Sequence, residues 1–224
     1  MCGCRMTQLL VVVTALVSTI AANATAQACV GVPSGDGRFA LQAGVGLTTG
    51  ATSYGADFSA NVRGPFVVGA SYALTNLAYA EPNGSTFSGD VAFEIPGVGM
   101  SLCPRFGVAY SRASGLSTNI YPGPYTTVTT VSWSLEVGGG KTLPVTPTLF
   151  ATPFAAAGLV LLHSQAQAKS GGFTSDRYTD DVAGLGAVLG LLIGGRKVHA
   201  GARVSFVTID DSDPLVTLGV GFVF

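Results

Sequence analysis

Large apolar residues alternate with small or polar residues over much of the chain, most clearly at the C-terminus. There Val216, Leu218, Val220, Phe222 and Phe224 are separated by Thr217, Gly219 and Gly221. Successive side chains of a β-strand point to opposite faces, so a period of two predicts a strand with one apolar face. The same period occurs in residues 38–48, 87–95, 127–137 and 197–208.

The second face of these strands carries mainly Gly, Ala, Ser and Thr, with isolated charges. A soluble sandwich would place a charged, hydrated surface there. A small, sparsely polar face instead suits the inside of a narrow barrel whose bulky face meets lipid. Ten strands are predicted, most of them near the ~9–11 residues that cross a bilayer: 38–48, 56–63, 65–77, 87–95, 100–112, 127–138, 148–165, 182–193, 197–208 and 214–224.

The segments that connect these strands fall into two groups. Alternate connectors are polar and mostly longer, and the others are short and rich in Gly or Pro. The longer ones are 49–55, 78–86, 113–126, 166–181 and 209–213, and the shorter ones are residue 64, 96–99, 139–147 and 194–196. This predicts an all-β fold, a closed antiparallel up-and-down transmembrane β-barrel of ten strands with both termini at the short-turn end. Eight strands stay an alternative, because 148–165 is irregular and contains Pro153.

Composition supports the membrane assignment. Of 224 residues 48% are hydrophobic and only 10% are charged, and the mean hydropathy is +0.49. Outside the N-terminus the chain has no apolar run of about 18 residues, the length that a transmembrane helix needs. A net charge of -1 gives no indication of nucleic-acid binding, and we expect no cofactor.

The N-terminus has the layout of a secretory signal peptide. Arg5 precedes an apolar run over 9–20, and two small-residue cleavage sites follow, at 24–26 and 26–28. We therefore divide the chain into a signal peptide, 1–28, and a barrel domain, 29–224. Export to an oxidising compartment predicts a disulfide between Cys29 and Cys103. Acylation of Cys29 after the second cleavage site is the alternative.

The signal peptide, the alternating strands and the ending Leu218-Gly219-Val220-Gly221-Phe222-Val223-Phe224 resemble the small bacterial outer-membrane β-barrel superfamily, which includes the OmpA transmembrane domain and OmpX. The resemblance covers nearly all of the mature chain. It implies a location in the bacterial outer membrane. It also implies that Leu218, Val220, Phe222 and Phe224 form a sorting signal read by the barrel-assembly machinery. Those relatives have eight strands.

Strand parity predicts a set of polar side chains inside the barrel. We expect Glu94 and Glu136 to oppose Arg105 and Arg203 and to fill the interior with ion pairs, because an eight-stranded barrel is just filled by side chains and ten strands widen it modestly. A narrow passive pore for small solutes is the alternative. The full inward set is Gln42, Asp57, Asn61, Arg63, Asp90, Glu94, Arg105, Glu136, His199 and Arg203.

Carboxylates concentrate on the last two outer loops. They are Asp176, Asp180, Asp181, Asp210, Asp211 and Asp213. Oxygen ligands of this kind could bind Ca²⁺ or Mg²⁺, although a solvated rim explains them as well. His163, beside Ser164, lies within reach of this rim, so a surface hydrolase that uses His163 and the rim aspartates is a further hypothesis.

We expect a non-enzymatic outer-membrane protein with a structural or surface-interaction role through its outer loops. Its expected partners are outer-membrane lipid and lipopolysaccharide. A soluble, ligand-holding barrel is the rival fold.

Overall fold

The computed structural model describes residues 39–63, 65–77, 80–95, 101–116, 125–170, 173–174, 177–195, 197–209 and 213–224. The predicted signal peptide, Cys29, Asp176, Asp210 and Asp211 lie outside these ranges. Within them there is no helix that is long and apolar enough to cross a membrane.

Twelve strands make up the described fold. They are β1 (Phe39–Thr48), β2 (Ala51–Arg63), β3 (Phe66–Leu77), β4 (Ala80–Phe93), β5 (Ser101–Leu116), β6 (Tyr125–Gly140), β7 (Leu143–Pro144), β8 (Phe150–Ser170), β9 (Phe173–Thr174), β10 (Tyr178–Gly194), β11 (Val198–Val207) and β12 (Leu215–Val223).

Ten of these strands close into an antiparallel barrel. Each pairs with its neighbours in chain order, β8 pairs with β10, and β12 closes the ring against β1. The two-residue strands β7 and β9 pair only with β8. Closure leaves the barrel without the unpaired edges that lipid does not tolerate. The prediction of ten strands is confirmed.

The eight-strand alternative is wrong, because the irregular segment is one continuous strand. Pro153 lies within β8 opposite Leu191 of β10. Its carbonyl oxygen accepts a hydrogen bond from the Lys141 N–H at 3.3 Å. Proline removes one donor from the ladder but leaves its acceptor, so β8 runs past it without a break.

Several strands extend further than predicted at the end of the barrel opposite Phe39 and Phe224. We call that opposite end the outer end and the end with the termini the inner end. β1 and β2 are joined by Thr49 and Gly50 alone, and Gly50 has a φ of 83°. β5 and β6 pair up to Leu116 and Tyr125. Four of the loops were therefore predicted too long: 49–55, 78–86, 113–126 and 166–181. Their Thr, Ser and Gln residues continue the strands through backbone pairing, but no alternation of apolar residues indicates this in the sequence.

The two faces of the wall separate as predicted. Outward residues of β12 are exposed, from Val216 at 40% to Phe224 at 68%. The inward face is dominated by buried Ala, Ser and Thr. Exposed side chains of Tyr54, Tyr72, Phe87, Tyr110, Trp133 and Phe206 lie towards the outer end, and Phe39, Phe66 and Phe224 lie towards the inner end. This is the apolar belt with two aromatic girdles expected of a transmembrane barrel.

Apolar side chains form small clusters at several levels of the interior. Near the inner end Val67, Ala92 and Cys103 form one cluster, and towards the outer end Val160, Leu162 and Ile209 form another. A third cluster of Phe154, Val188 and Leu192 lines the wall formed by β8 and β10.

Candidate functional site

A band of charged and polar side chains crosses the barrel interior. Seven of the ten residues that were predicted to face inwards are buried: Gln42, Asp57, Asp90, Arg105, Glu136, His199 and Arg203. Glu94 follows β4 and is half-buried, as is Asn61 in β2, and the side chain of Arg63 lies outside the described part.

Arg105 is the centre of a buried ion-pair cluster. Its Nη1 donates to Oε2 of Glu136 at 3.2 Å, and its Nη2 donates to Oδ1 of Asp90 at 3.3 Å. Glu136 lies directly opposite Arg105 in the register of β5 and β6, whereas Asp90 reaches it from β4. The predicted pair of Arg105 and Glu136 is therefore present, and its second carboxylate is Asp90.

Arg203 differs from the predicted arrangement. Among the described residues no carboxylate oxygen lies within 4.0 Å of its side chain, so its expected ion pair with Glu94 or Glu136 is wrong. The charge of Arg203 interacts at longer range with Asp57 and Arg105. The sequence pattern predicted the face of β11 on which Arg203 lies. Which side chains lie opposite it across the barrel depends on strand tilt and register, which the pattern does not give.

Glycines opposite the larger inward side chains accommodate them. A Cβ atom on Gly221 would collide with the imidazole of His199, the residue opposite it on β11. A Cβ atom on Gly219 would likewise collide with the side chain of Gln42 on β1. The alternation of glycine with bulky residues in β12 therefore has two causes, lipid on one side and packing across the interior on the other.

His163 pairs with Asp181 on the outward face of the wall. The two residues are opposite each other on β8 and β10, and Nδ1 of His163 lies 2.6 Å from Oδ1 of Asp181. The other ring nitrogen lies 3.1 Å from Nε2 of Gln165. A neutral ring with its proton on Nδ1 satisfies both contacts, because Nδ1–H donates to Asp181 and Nε2 accepts from the Gln165 amide.

Ser164 lies on the opposite face of β8 from His163. Its side chain is buried, and its Oγ lies 3.1 Å from Oγ1 of Thr130. Adjacent residues of a strand point to opposite faces, so Ser164 and His163 do not meet. The sequence argument placed His163 within reach of the rim aspartates but did not single out Asp181. It also missed Gln165, although Gln165 is two residues from His163 and therefore on the same face of β8.

The acidic rim does not assemble into a metal centre in the described part of the chain. No group of three or more His, Cys, Asp or Glu side chains is placed there to hold a metal ion. Asp181 binds His163, Asp180 is half-buried and Asp213 is exposed.

Cys103 is disulfide-bonded and buried near the inner end of β5. The other cysteines of the chain are Cys2, Cys4 and Cys29, all outside the described residues. The pairing of Cys103 with Cys29 stays a prediction.

The C-terminal strand closes the barrel. The N–H of Phe224 donates to the carbonyl of Phe39 at 2.9 Å, and the N–H of Phe39 donates to the carbonyl of Phe224 at 3.4 Å. Leu218, Val220, Phe222 and Phe224 all point outwards and are 48–68% exposed.

Several solved structures are similar to this chain. The translocator domain of the autotransporter NalP from Neisseria meningitidis is similar with a TM-score of 0.57 and 15% identity, over 94% of this chain and 97% of that domain. The outer membrane protease OmpT from Escherichia coli gives 0.49 and 9%, over 84% and 94%. The N-terminal β-barrel domain of Pseudomonas aeruginosa OprF gives 0.40 and 13%, over 83% and 96%.

No protein-family model matches the sequence, and no curated protein matches it. The similarity to the NalP translocator domain, the closed ring of ten strands and the apolar outer belt show that the chain has the fold of an outer-membrane β-barrel.

Proposed function

We propose that this protein is an integral outer-membrane barrel with a structural and surface-interaction role, and that a raised part of its wall provides the interaction surface. The interior is closed to larger solutes by its own side chains, and the protein carries out no catalysis. The observation that carries this proposal is the unequal length of the strands.

One side of the barrel is taller than the other. β1, β11 and β12 have 10, 10 and 9 residues, which is what a tilted strand needs to cross a bilayer. β5, β6, β8 and β10 have 16, 16, 21 and 17 residues. The additional residues lie at the outer end, so these four strands form a wall that stands above the apolar belt. We call it the raised wall.

The outward face of the raised wall changes from apolar to polar within two rows of paired residues. Val108, Trp133 and Leu161 are exposed apolar residues of the belt. Tyr110, Val131, His163 and Asp181 form the next paired row outwards, and Arg112, Thr129, Gln165 and Thr179 form the row after it.

This polar surface continues directly from the lipid-exposed belt, so it stands where the headgroups of the outer leaflet lie. Arg112 is exposed there, and a guanidinium binds phosphate through a planar pair of donors. Gln165, Thr129 and Thr179 add neutral donors and acceptors of the kind that sugars use. Lipopolysaccharide, which combines phosphates with sugars, is the partner that this chemistry favours.

Unfolding of the refolded protein in lipid nanodiscs tests this proposal. Nanodiscs that contain lipopolysaccharide should stabilise the wild type more than nanodiscs of phosphatidylcholine alone, and Arg112→Glu should remove most of that difference. Lys197→Glu is the matched control, because Lys197 is an exposed cation at the inner end of the barrel. Equal stability of the wild type in the two membranes would refute the proposed partner.

The contacts of His163 argue for a non-catalytic role. Asp181 contacts one ring nitrogen, and the Gln165 amide contacts the other, which is the nitrogen that would take a proton from water. Water reaches that nitrogen only if Gln165 moves away. Hydrolysis of a phospholipid, lipopolysaccharide or peptide substrate by the wild type that is lost in His163→Ala would support the hydrolase alternative instead.

A further inference from the structure

Polar atoms without protein partners line two facing walls of the interior. In the described part of the chain eight buried side-chain nitrogen and oxygen atoms have no hydrogen-bond partner. Four belong to β4, β5 and β6, and the other four belong to β11 and β12. The second group consists of His199 Nε2, Arg203 Nε, Ser205 Oγ and Thr217 Oγ1.

Three of the atoms on β11 and β12 belong to residues at adjacent inward positions of the two strands, which we call the cluster. Arg203 and Thr217 are direct partners in the register of these strands, and Ser205 follows Arg203 on the same face. Each of the three is at least half-buried, and Arg203 is only 7% exposed. The cluster therefore brings a guanidinium and two hydroxyl groups together on one side of the interior.

The charge of Arg203 has no direct counter-ion. Asp57 interacts with it electrostatically, but no carboxylate oxygen of the described residues lies within 4.0 Å. Arg105 shows the contrast, because two carboxylates contact it at 3.2 and 3.3 Å. A buried guanidinium stays charged and has five N–H donors, and a buried charge needs a compensating partner.

We infer that Arg203, together with the hydroxyl groups of Ser205 and Thr217, binds a small monovalent anion of the chloride class inside the barrel. An anion accepts hydrogen bonds from all three groups and compensates the charge, whereas water satisfies only the hydrogen bonds. Arg203 lies beside one apolar cluster of the interior, because the ring of Phe154 packs over Gly190 next to it.

Chloride and bromide are the probes for this site. We expect the chloride NMR line of a solution of the refolded mature chain in zwitterionic detergent to be broadened beyond that of the detergent alone. Arg203→Gln should reduce this excess broadening several-fold, and Thr217→Val should reduce it by a smaller factor. In crystals grown with bromide, an anomalous peak is expected within hydrogen-bond distance of the Arg203 guanidinium.

Lys197→Gln is the matched control, since it removes one positive charge from an exposed position and should leave the broadening unchanged. If Arg203→Gln fails to fold, Thr217→Val and the bromide peak of the wild type decide the question. The proposal is overturned if the wild type shows no excess broadening, if Arg203→Gln broadens the line as much as the wild type, or if bromide binds only elsewhere.

Discussion

Arg105 and Glu136 lie directly opposite each other on β5 and β6, joined by a hydrogen bond of 3.2 Å, and the same guanidinium binds Asp90 at 3.3 Å. The guanidinium of Arg105 on β5 therefore binds two buried carboxylates, one on β4 and one on β6. A carboxylate inside a membrane protein is costly unless it is paired. The stability of this side of the barrel depends on Arg105.

Arg105→Met should destabilise the barrel strongly, because it leaves Asp90 and Glu136 buried without a counter-ion. We expect the free energy of unfolding to fall by about 3–5 kcal/mol, the usual cost of removing one partner of a buried pair. Urea unfolding in detergent micelles, followed by the fluorescence of Trp133, measures it.

Two controls separate pairing from other effects of that substitution. Arg112→Met makes the same change at an exposed outward position of β5 and should have little effect. The triple variant Arg105→Met, Asp90→Asn, Glu136→Gln removes the unpaired charges and should recover much of the loss. A triple variant as unstable as Arg105→Met would contradict the pairing explanation.

Gly221→Val should destabilise the barrel by about 1–3 kcal/mol, since added volume in a packed interior forces neighbouring side chains out of place. The neighbour is His199, whose ring occupies the space beside the Gly221 Cα atom. His199→Ala in the same chain should restore most of the stability, as measured by thermal unfolding. Equal losses in the single and double variants would show that the backbone of β12, and not the imidazole, sets the limit.

The period of two was sufficient to predict the fold and the face of nearly every strand. At the C-terminus the alternate residues that the sequence indicated as outward are exposed, and the glycines between them face inwards. This succeeds because lipid selects bulky apolar residues on one face while the narrow interior selects small ones on the other. The sequence of each strand therefore indicates which of its faces meets lipid.

The strand ends and the partners across the interior could not be predicted in the same way. Thr127 pairs with Ser114 and Thr129 pairs with Gln165 above the apolar belt, where no lipid imposes an alternation. Arg203 faces inwards as expected, but its distance from each carboxylate depends on the stagger between strands, which a single strand does not encode. Ala92 lies opposite Arg105, so Asp90 and Glu94 are each two residues from that position, and the register alone does not predict that Asp90 binds Arg105.

A disulfide between Cys29 and Cys103 remains a prediction for the mature chain. Cys103 is disulfide-bonded, buried beside Val67 and Ala92 near the inner end. We expect peptide mapping without reductant to recover Cys29 and Cys103 in one linked peptide. Cys103→Ser should lower stability because the cross-link no longer restricts the unfolded chain. Two free thiols, or an acyl group on Cys29, would contradict this pairing.

Phe224 is expected to matter for assembly beyond its contribution to stability. Its backbone closes the ring against Phe39, and a substitution leaves those backbone hydrogen bonds possible. Phe224→Ala should nevertheless reduce the amount of heat-modifiable barrel in the outer-membrane fraction several-fold, if the terminal aromatic residue is part of the sorting signal. Phe224→Tyr should assemble normally. Full assembly of Phe224→Ala would remove the predicted role in sorting.

The apolar clusters of the interior should keep the wild type closed to ions in planar bilayers. We expect no stable single-channel steps, because a barrel of this size is filled by its own side chains. The variant Phe154→Gly, Leu162→Gly removes one large side chain from the cluster on β8 and β10 and one from the cluster towards the outer end, and it should produce steps. Leu161→Gly is the control, since Leu161 is 51% exposed and faces lipid on the other side of β8. Stable steps in the wild type that change with Arg203→Ala would show instead that the interior is a narrow pore.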